Sequence, residues 1–588
     1  MFQGNYYPIS SFKGGYCGNL PITKLSLEQA SDLDNIVVLP SGQGFRTRHG
    51  NVKWHLATKV IQDITYTSVA KGTDGEAVTI AYTAGATAGS EVVTVVGNAI
   101  SIQIESTVST ATQVKAKFDA SAAAVALATA VITGTAGTAQ VAVVAVALAC
   151  TALNSGANIQ GIGHFLQADQ DKWLIVVAGA KIYSSSAYNG SYSEITGTAT
   201  VTAAADNHWD IFTFNDKVIG FGGAPASPDA PWTWTGASTA APLGGTAPSC
   251  YGGFSANNRV FAYRTSSLPS TIYWSIIGDP TDWTGTGAGS AVIGSLSDGQ
   301  RVTAAIVIST NYVLVFKENA TYQMVISSSP FPVYSLFDNV GCVGKKAAVN
   351  IDGEVYFINS RGEMCSTNGE SVKKYPPAAD NLWDAVQPSR YPYIVGFRET
   401  ESDHDWLVWM VSTTGSTNTA AIIWDLENEC WLQCTTGYDM NMVGLDHLNN
   451  PYIGDYSGFV YRPSVSAHHR DDSTSPGTVT GYWRSGWMNP SNATEVVQVR
   501  RMTVNCRTQT SGTITVNYGF DFTADSASFT LSQVPTASET YTSRGSMLTG
   551  RGNFFNFKIS QSSAVIDTEV HSILLQGKSY GQKVIDND

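Results

Sequence analysis

Short runs of large apolar residues, each followed by a polar turn and a second apolar run, recur through residues 159–463. Successive units are roughly 40–50 residues apart, a spacing typical of β-propellers, in which each unit is one blade. The enrichment of these runs in Val, Ile and aromatic residues favours strands over helices. About seven units are present, and they begin at Gly163, Asp210, Gly253, Val302, Ala347, Gly396 and Gly444.

One unit shows the pattern in full. Residues 273–277 form an apolar and aromatic run, a Gly-Asp-Pro turn follows at 278–280, and Trp283 comes after it. Gly, Asp and Pro cluster in turns because they preset φ or tolerate unusual φ. After a Gly-rich loop, two more strands are predicted within residues 302–315. The repetition of this outline indicates a propeller rather than a single-pocket enzyme.

The segments on either side of the repeats also have strand patterns. Residues 1–69 are predicted to form an N-terminal β segment, with a hairpin about Ser41-Gly42. Residues 478–588 contain several alternating runs and are predicted to form a C-terminal β-sandwich or platform. Between the repeats and this unit, residues 464–477 contain His, Asp, Ser, Thr, Pro and Gly and are predicted to be a solvated linker.

Residues 70–158 differ from the rest of the chain. No Asp, Glu, Lys or Arg occurs between Asp119 and Asp169, and Ala, Val, Thr and Gly dominate. An alternating stretch centred on Gly97-Asn98 predicts a two-strand hairpin, and residues 110–130 have helical character. The content of Val and Ile argues against disorder. The chain is therefore predicted to be all-β, a β-propeller with a terminal β-sandwich or platform and a small inserted α+β module.

Composition and charge narrow the classes of function. Hydrophobic residues make up 43% of the chain and charged residues 14%, against about 25% charged in a typical globular protein. The net charge of −13 makes the chain a poor candidate for gripping nucleic-acid phosphates, although DNA could slide past such a surface. The eight cysteines are scattered and predict mostly free buried thiols in a protein made in a reducing cytoplasm. No signal peptide or membrane-spanning segment is predicted.

No catalytic motif, cofactor site or metal site is predicted, and the chain is predicted not to be an enzyme. Two clusters contain residue types that bind metals, but neither is predicted to be a metal site. The Cys430/Cys434 pair lacks further ligands at zinc spacing. The group of His468, His469, Asp471 and Asp472 is better explained as a solvated linker. In the repeats, Asp446-His447 and Asp455 are interpreted as turn-stabilising residues.

Two further sets of residues leave alternatives open. Tryptophans in the propeller region could stack on sugars, but use in the core or in an interface is favoured; they are Trp209, Trp232, Trp234, Trp274, Trp283 and Trp424. Paired carboxylates could form a glycosidase site, but acidic residues are too common here to select a pair. The last domain has a set of arginines that could hold phosphates or form a subunit contact; they are Arg500, Arg501, Arg507, Arg544 and Arg551.

The chain resembles the tail nozzle proteins of short-tailed bacteriophages, also called tail tubular protein B, and is similar to the related tail-hub or packaged-DNA stabilisation proteins. The resemblance covers most of the chain outside residues 70–158. It rests on an entry strand in residues 30–50, the 278–283 turn with the residues from Asp298-Gly299 to Lys317, the Gly-Asp-Tyr-Ser-Gly turn at 454–458, and the closing strand at 550–558. The inserted segment looks like modules that decorate phage structural proteins.

The resemblance implies a structural virion protein, made in the cytoplasm of a host bacterium and assembled into the viral tail. Six copies would form a ring below the adaptor that follows the portal, with fibres or spikes attached outside. The ring would line and close the DNA channel and open for genome ejection, and double-stranded DNA would pass without specific binding. A peripheral receptor-binding or glycan-degrading tail propeller is the alternative, and a scaffold for cellular partners is a third hypothesis.

Overall fold

A computed structural model describes residues 6–580 except 205, 328–329, 402–403, 466–467, 469, 473–476, 490–494, 510, 536–539 and 563–567. Strands dominate this part of the chain, and its helices are few and short. No helix among these residues is long and apolar enough to cross a membrane. The prediction of an all-β protein built on a propeller is confirmed.

Seven four-stranded antiparallel sheets form the blades of the propeller. In order from the axis outwards, blade 1 consists of Ile159–Leu166, Lys172–Ala178, Lys181–Ser186 and Ser193–Glu194; blade 2 of Asp210–Phe214, Lys217–Phe221, Trp232–Trp234 and Ala241–Pro242; blade 3 of Gly252–Ala256, Arg259–Tyr263, Thr271–Trp274 and Gly289–Val292; blade 4 of Val302–Val307, Tyr312–Lys317, Ala320–Val325 and Val333–Asp338; blade 5 of Ala348–Ile351, Glu354–Ile358, Met364–Thr367 and Val372–Lys374; blade 6 of Val395–Glu401, His404–Val411, Ala420–Asp425 and Cys430–Cys434; and blade 7 of Met440–Leu445, Pro451–Asp455, Val460–Arg462 and Val52–Lys53.

The seven inner strands form a closed ring, because each contacts the next and the strand of blade 7 packs on that of blade 1. The second strands are almost fully buried, as in Arg259–Tyr263 and Tyr312–Lys317. Neighbouring blades cover both faces of these strands, which explains why they appear in the sequence as continuous apolar runs. The region after the 278–280 turn is not only a loop, since Gly289–Val292 forms the outer strand of blade 3.

Blade 7 is completed by a strand from near the start of the chain. Val52–Lys53 pairs with Tyr461 and Arg462, which are about 400 residues away in sequence. The propeller therefore includes residues outside the predicted range of 159–463. A scan of local patterns could not detect this strand, because its two residues have no periodicity of their own.

The two ends of the chain form one β-sandwich. Residues 1–69 and 478–588 are predicted as two separate segments, but strands from both form this one unit. Phe12, Phe45 and Trp483 pack together in its shared core, with ring centroids 4.9–6.2 Å apart. One sheet contains Ile36–Val38, Phe45–Thr47, Glu569–Tyr580, Val496–Arg507 and Tyr541–Met547, with Tyr6–Ile9 paired to Glu569–Tyr580; the other contains Gly15–Tyr16, Gln29–Asp34, Thr480–Ser485, Phe555–Ser562, Thr513–Phe520 and Thr523–Ser532.

The inserted module has its own hydrophobic core, to which Tyr66, Tyr82 and Phe118 belong. It begins at Leu56, not at residue 70 as predicted, because the hairpin that opens it was assigned to the N-terminal segment. Thr110 and Gln113 form a capping box on the longest helix. One sheet of the module contains Leu56–Ile61, Ile64–Lys71 and Ala128–Ile132. The other contains Val92–Val96, Ala99–Ile104, Thr79–Ala84 and Val143–Ala147. The helices are Gly72–Glu76, Ala111–Asp119 and Ala122–Val125.

The remaining elements are small. They are a helix at Asp380–Asp384, two-stranded sheets of Gly223–Ala224 with Ser227–Pro228 and of Arg470–Asp471 with Gly477–Thr478, and 3-10 turns at Pro40–Gly42, Leu153–Ser155, Leu296–Asp298, Pro377–Ala379 and Pro388–Tyr393.

The predicted solvated linker at 464–477 is wrong for the acidic residues that it contains. Asp471 and Asp472 are buried. Asp472 accepts hydrogen bonds from the backbone N–H groups of Lys53 and Thr73 at 3.2 and 3.1 Å, and His468 Nε2 lies 3.2 Å from its Oδ1. The segment therefore joins the propeller to the inserted module. His469 lies outside the described residues.

Candidate functional site

Charged residues gather at one end of the propeller axis. Four antiparallel strands return the chain to the face on which a blade began, so the inner strands start on one common face. Lys345 precedes the inner strand of blade 5, and its Nζ donates to the carbonyl oxygens of His208 and Tyr251 at 2.8 and 2.5 Å. Those two residues precede the inner strands of blades 2 and 3. We call this end of the axis the charged mouth.

Both carboxylates of the charged mouth are fully engaged. Asp210 Oδ2 lies 3.2 Å from Lys345 Nζ, and its Oδ1 lies 2.7 Å from Lys346 Nζ. Asp206, which precedes blade 2, accepts two hydrogen bonds of 3.0 and 2.9 Å from the guanidinium of Arg390, which precedes blade 6. These ion pairs cross the axis and hold blades on opposite sides of the ring.

Arg264 has no such partner. Its residue is 7% exposed, its Nε lacks a hydrogen-bond partner, and it makes no ion pair within the described part of the chain. Its guanidinium carbon lies 4.5 Å from the ring centroid of Tyr251, and Lys345 Nζ lies 4.6 Å from the same centroid. Two cations thus flank one aromatic ring, which supplies only part of the charge compensation that a carboxylate would give.

The crowding of cations changes the ionisation of the mouth. Burial lowers the pKa of Lys345 to about 8; Asp210 opposes this shift and the charge of Lys346 adds to it. Burial alone would raise the pKa of Asp210, but Lys345 and Lys346 together hold it below its usual value. Burial also lowers the pKa of His208 to about 4, so this imidazole is neutral at pH 7.

The mouth carries an excess of positive charge within an acidic chain. Four cations face two carboxylates, which leaves two positive charges in excess; the cations are Lys345, Lys346, Arg264 and Arg390, and the carboxylates are Asp206 and Asp210. The whole chain, by contrast, has a net charge of −13. Arg301 and Glu318, which also act on the ionisation of Arg264, add one charge of each sign and leave the excess unchanged. Electrostatically, the arrangement is suited to an anion.

On the other side of the mouth, the axis widens into a cavity of about 520 Å³. Lys346 lines it, together with residues of the inner strands such as His164 and Arg398. Asp352 is the one carboxylate among the lining residues. Glycoside hydrolysis normally requires two facing carboxyl groups, so this cavity does not supply a glycosidase site.

The six candidate tryptophans are all buried in the propeller, from 0% exposed for Trp209 and Trp232 to 8% for Trp283. Their interpretation as core residues is confirmed, and they offer no exposed sugar-stacking face. Trp283 illustrates the anchoring role, because its Nε1 donates to Pro280 O at 2.7 Å across the turn.

The turn interpretation of the acidic candidates is also confirmed. Asp446 accepts from the N–H groups of Leu448 and Asn450 at 2.8 and 2.9 Å. Asp455 Oδ1 accepts from those of Ser457 and Phe459, both at 2.8 Å. These side chains close the hairpin turns of blade 7 and are not free to act as ligands.

The cysteines are free, and seven of the eight are buried, with Cys150 half-buried, as predicted for most of them. Cys430 and Cys434 lie on one strand of blade 6. No group of three or more potential metal-binding side chains occurs in the described ranges of the chain. The arginines of the sandwich lie mostly at the surface, and Arg507 pairs with Glu569 at 2.6 Å.

The sequence interpretation missed the charged mouth entirely. Its residues come from five separate segments, and none forms a motif. The available signal was the Lys345-Lys346 pair directly before a predicted inner strand, in a chain with 14% charged residues.

No family model matches the sequence, and no curated protein matches it. Among solved structures, the chain is similar to "YCF48 bound to D1 peptide", at 10% identity and a TM-score of 0.36, covering 54% of this chain and 94% of that one. YCF48 from Cyanidioschyzon merolae has 8% identity and a TM-score of 0.34 over 53% of this chain and 97% of its own. The WD40 β-propeller domain of Doa1 has 11% identity and a TM-score of 0.34, with coverages of 53% and 94%. These likenesses carry no functional argument, and the fold of this chain is a seven-bladed β-propeller joined to a β-sandwich.

Proposed function

We propose that the chain is a non-enzymatic structural subunit of a bacteriophage tail, six copies of which form a nozzle ring below the portal adaptor. The ring lines and closes the DNA channel and opens for genome ejection. Tail fibres or spikes attach outside, and the protein is made in the cytoplasm of a host bacterium before it enters the virion. The proposal rests on the sequence resemblance.

One structural observation supports this role most strongly. The sandwich and blades 4 to 7 share a single hydrophobic core, which includes Phe45 and Trp483 of the sandwich and Trp406 and Trp431 of blade 6. The two ends of the chain are thus bound to each other and to the propeller without a hinge between them. A subunit that withstands the pressure of packaged DNA and keeps its place in a ring benefits from such rigidity, because packed cores deform little.

Two further features fit passage of DNA without specific binding. The chain is strongly acidic, so its average field repels a DNA backbone and limits non-specific adhesion. Residues with exposed side chains on the inserted module are mainly Ala, Thr and Val, which gives that surface little charge with which to hold DNA.

A cryo-EM reconstruction of the particle that contains this chain tests the proposal. We expect six copies around the tail axis, between the adaptor and the distal end, enclosing a closed or DNA-filled channel. A peripheral location with loops directed at the host surface would instead identify a receptor-binding protein. A glycan array and a reducing-sugar assay on the purified chain test the glycan alternative, which the buried tryptophans and the single carboxylate lining the axial cavity do not support.

A further inference from the structure

We propose that the charged mouth of the propeller is a binding site for a phosphate group, free or as a monoester, held chiefly by Arg264. The inference does not depend on the nozzle proposal, because it rests on the contacts at the mouth alone.

The guanidinium of Arg264 is largely buried and forms no ion pair among the described residues. Of its three nitrogens, Nε is the one buried without a hydrogen-bond partner, and a largely buried cation without an ion pair is costly, so proteins pair it or bind an ion beside it. Asp206 is occupied by both terminal nitrogens of Arg390, and Asp210 is occupied by Lys345 and Lys346. Glu318 also acts on the ionisation of Arg264 but forms no ion pair with it among the described residues, so an external anion can serve as the counter-ion.

The chemistry of the donors favours phosphate. A guanidinium presents a planar fork of N–H groups that matches two oxygens of a phosphate or a carboxylate. The excess of two positive charges at the mouth matches a phosphate group, which carries about −1.5 to −2 at pH 7. A single carboxylate would neutralise only half of that excess.

The site is accessible although its base is buried. The side chain of Lys346 is 23% exposed and that of Asp206 is 35% exposed. Arg301, directly before the inner strand of blade 4, is exposed on the same face. An anion can therefore approach Arg264 from this face, against the repulsion of Asp206 and Glu318.

Isothermal titration of the full chain with inorganic phosphate, in buffer of matched ionic strength, tests the proposal. We expect saturable binding that Arg264→Gln weakens by about tenfold or more, since it removes a charge-assisted hydrogen bond. Lys374→Gln is the matched control, because that lysine forms an exposed pair with Glu363 on blade 5, and it should bind phosphate as the unaltered chain does.

Thermal unfolding separates this role from a purely structural one. In phosphate-free buffer Arg264→Gln should unfold at the same or a higher temperature, because it removes a largely buried charge that has no ion pair, whereas phosphate should stabilise only chains that retain Arg264. Absence of phosphate binding, equal binding by Arg264→Gln, or a lower unfolding temperature of this variant with an unchanged phosphate effect would each overturn the proposal.

Two further titrants identify the source of the group. A short DNA oligonucleotide that binds in an Arg264-dependent way only when it carries a 5′-terminal phosphate supports an esterified phosphate, and inorganic phosphate that binds where this oligonucleotide does not supports the free ion. Succinate binding with the same dependence and higher affinity than phosphate would overturn the phosphate assignment in favour of a carboxylate.

Discussion

Arg48 shows how much one side chain contributes to joining the parts of this molecule. It follows a sandwich strand, and its guanidinium pairs with Asp471 through contacts of 3.0 and 2.6 Å. It also donates to Asn35 Oδ1 and to Thr436 O, both at 2.9 Å. The side chain is 0% exposed, so all of this charge is compensated by protein groups.

Replacing Arg48 by Met should lower the free energy of unfolding by about 3–5 kcal/mol, because it leaves Asp471 buried without its counter-charge. Urea denaturation followed by tryptophan fluorescence measures the change. Lys181→Met is the control, since Lys181 and Glu194 form a pair in which both side chains are more than 40% exposed, and its loss should leave the free energy of unfolding nearly unchanged. Equal losses in the two variants would contradict the role given to Arg48.

Asp455 gives a prediction about pH. Burial raises the pKa of this carboxyl from 3.8 to about 6, against the opposing effect of its hydrogen bonds to Phe459, Ser457 and Tyr461. Between about pH 4 and 6 the native state therefore binds more protons at this residue than the unfolded chain does. The contribution of Asp455 to stability is greatest below pH 4 and falls as the pH rises through 6.

Asp455→Asn removes this titration while keeping a carbonyl oxygen for the turn. Relative to the unaltered chain, the variant should gain up to about 3 kcal/mol in unfolding free energy between pH 4 and pH 7.5. Denaturation curves at these two pH values measure the difference between the chains. Parallel pH profiles would show that the carboxyl is not responsible.

Gly50 lies where the sandwich passes into the propeller. Its backbone N–H donates to His468 O at 2.6 Å, and its carbonyl accepts from Val465 N at 3.1 Å. A Cβ at this position would lie 1.9 Å from the carbonyl oxygen of Arg470. Gly50 and the backbone of Arg470 can therefore approach this closely only because residue 50 has no side chain.

Gly50→Ala should separate these two segments and lower the thermal unfolding temperature by several degrees, as expected for overpacking that costs about 1–3 kcal/mol. Gly137→Ala is the control, because no atom lies within 4 Å of the Cβ that it would add and its φ is not left-handed. A calorimetric scan of both variants distinguishes them. If Gly50→Ala unfolds at the temperature of Gly137→Ala, the contact does not constrain the junction.

The elements that the sequence predicted well are those with a local pattern. All seven unit starts fall at or beside the inner strands of the blades, and the Gly97-Asn98 hairpin joins Val92–Val96 to Ala99–Ile104 as expected. Each of these patterns is contained within a few neighbouring residues. The residue types of a strand buried on both faces, or of a tight hairpin, depend directly on its local environment.

The elements that the sequence did not predict depend on distant pairings. The pairing of Val52–Lys53 with blade 7, the joining of both chain ends in one sandwich, and the burial of Asp471 each bring together segments about 400 or more residues apart. A lone Arg or Asp looks the same in sequence whether it is solvated or buried. The charged mouth was missed for the same reason.

At the scale of the whole molecule, the inserted module is the part that is most independent of the others. It has a core of its own, and its two ends are held together by reciprocal backbone hydrogen bonds between Thr58 and Ala149 of 2.9 and 3.2 Å. Asp472 ties it to the rest of the chain by accepting from Thr73, and Lys53 pairs with Glu76 at 3.4 Å. The propeller closes through Val52–Lys53, which lies just before the module.

Replacing residues 59–148 by Asn-Gly should therefore leave the propeller and sandwich folded. Thr58 and Ala149 are already an antiparallel pair, and a two-residue Asn-Gly loop suits such a pair. We expect a loss of about 2–4 kcal/mol from the missing donors to Asp472, with the sheet signal in circular dichroism and protection of the core from limited proteolysis retained. Deletion of blade 4, residues 302–338, is the contrasting control, because it opens the ring of inner strands and should abolish folding. If the shortened chain loses its core while the isolated module, residues 56–150, also fails to fold, then the module and propeller depend on each other and the insertion is an integral part of the fold.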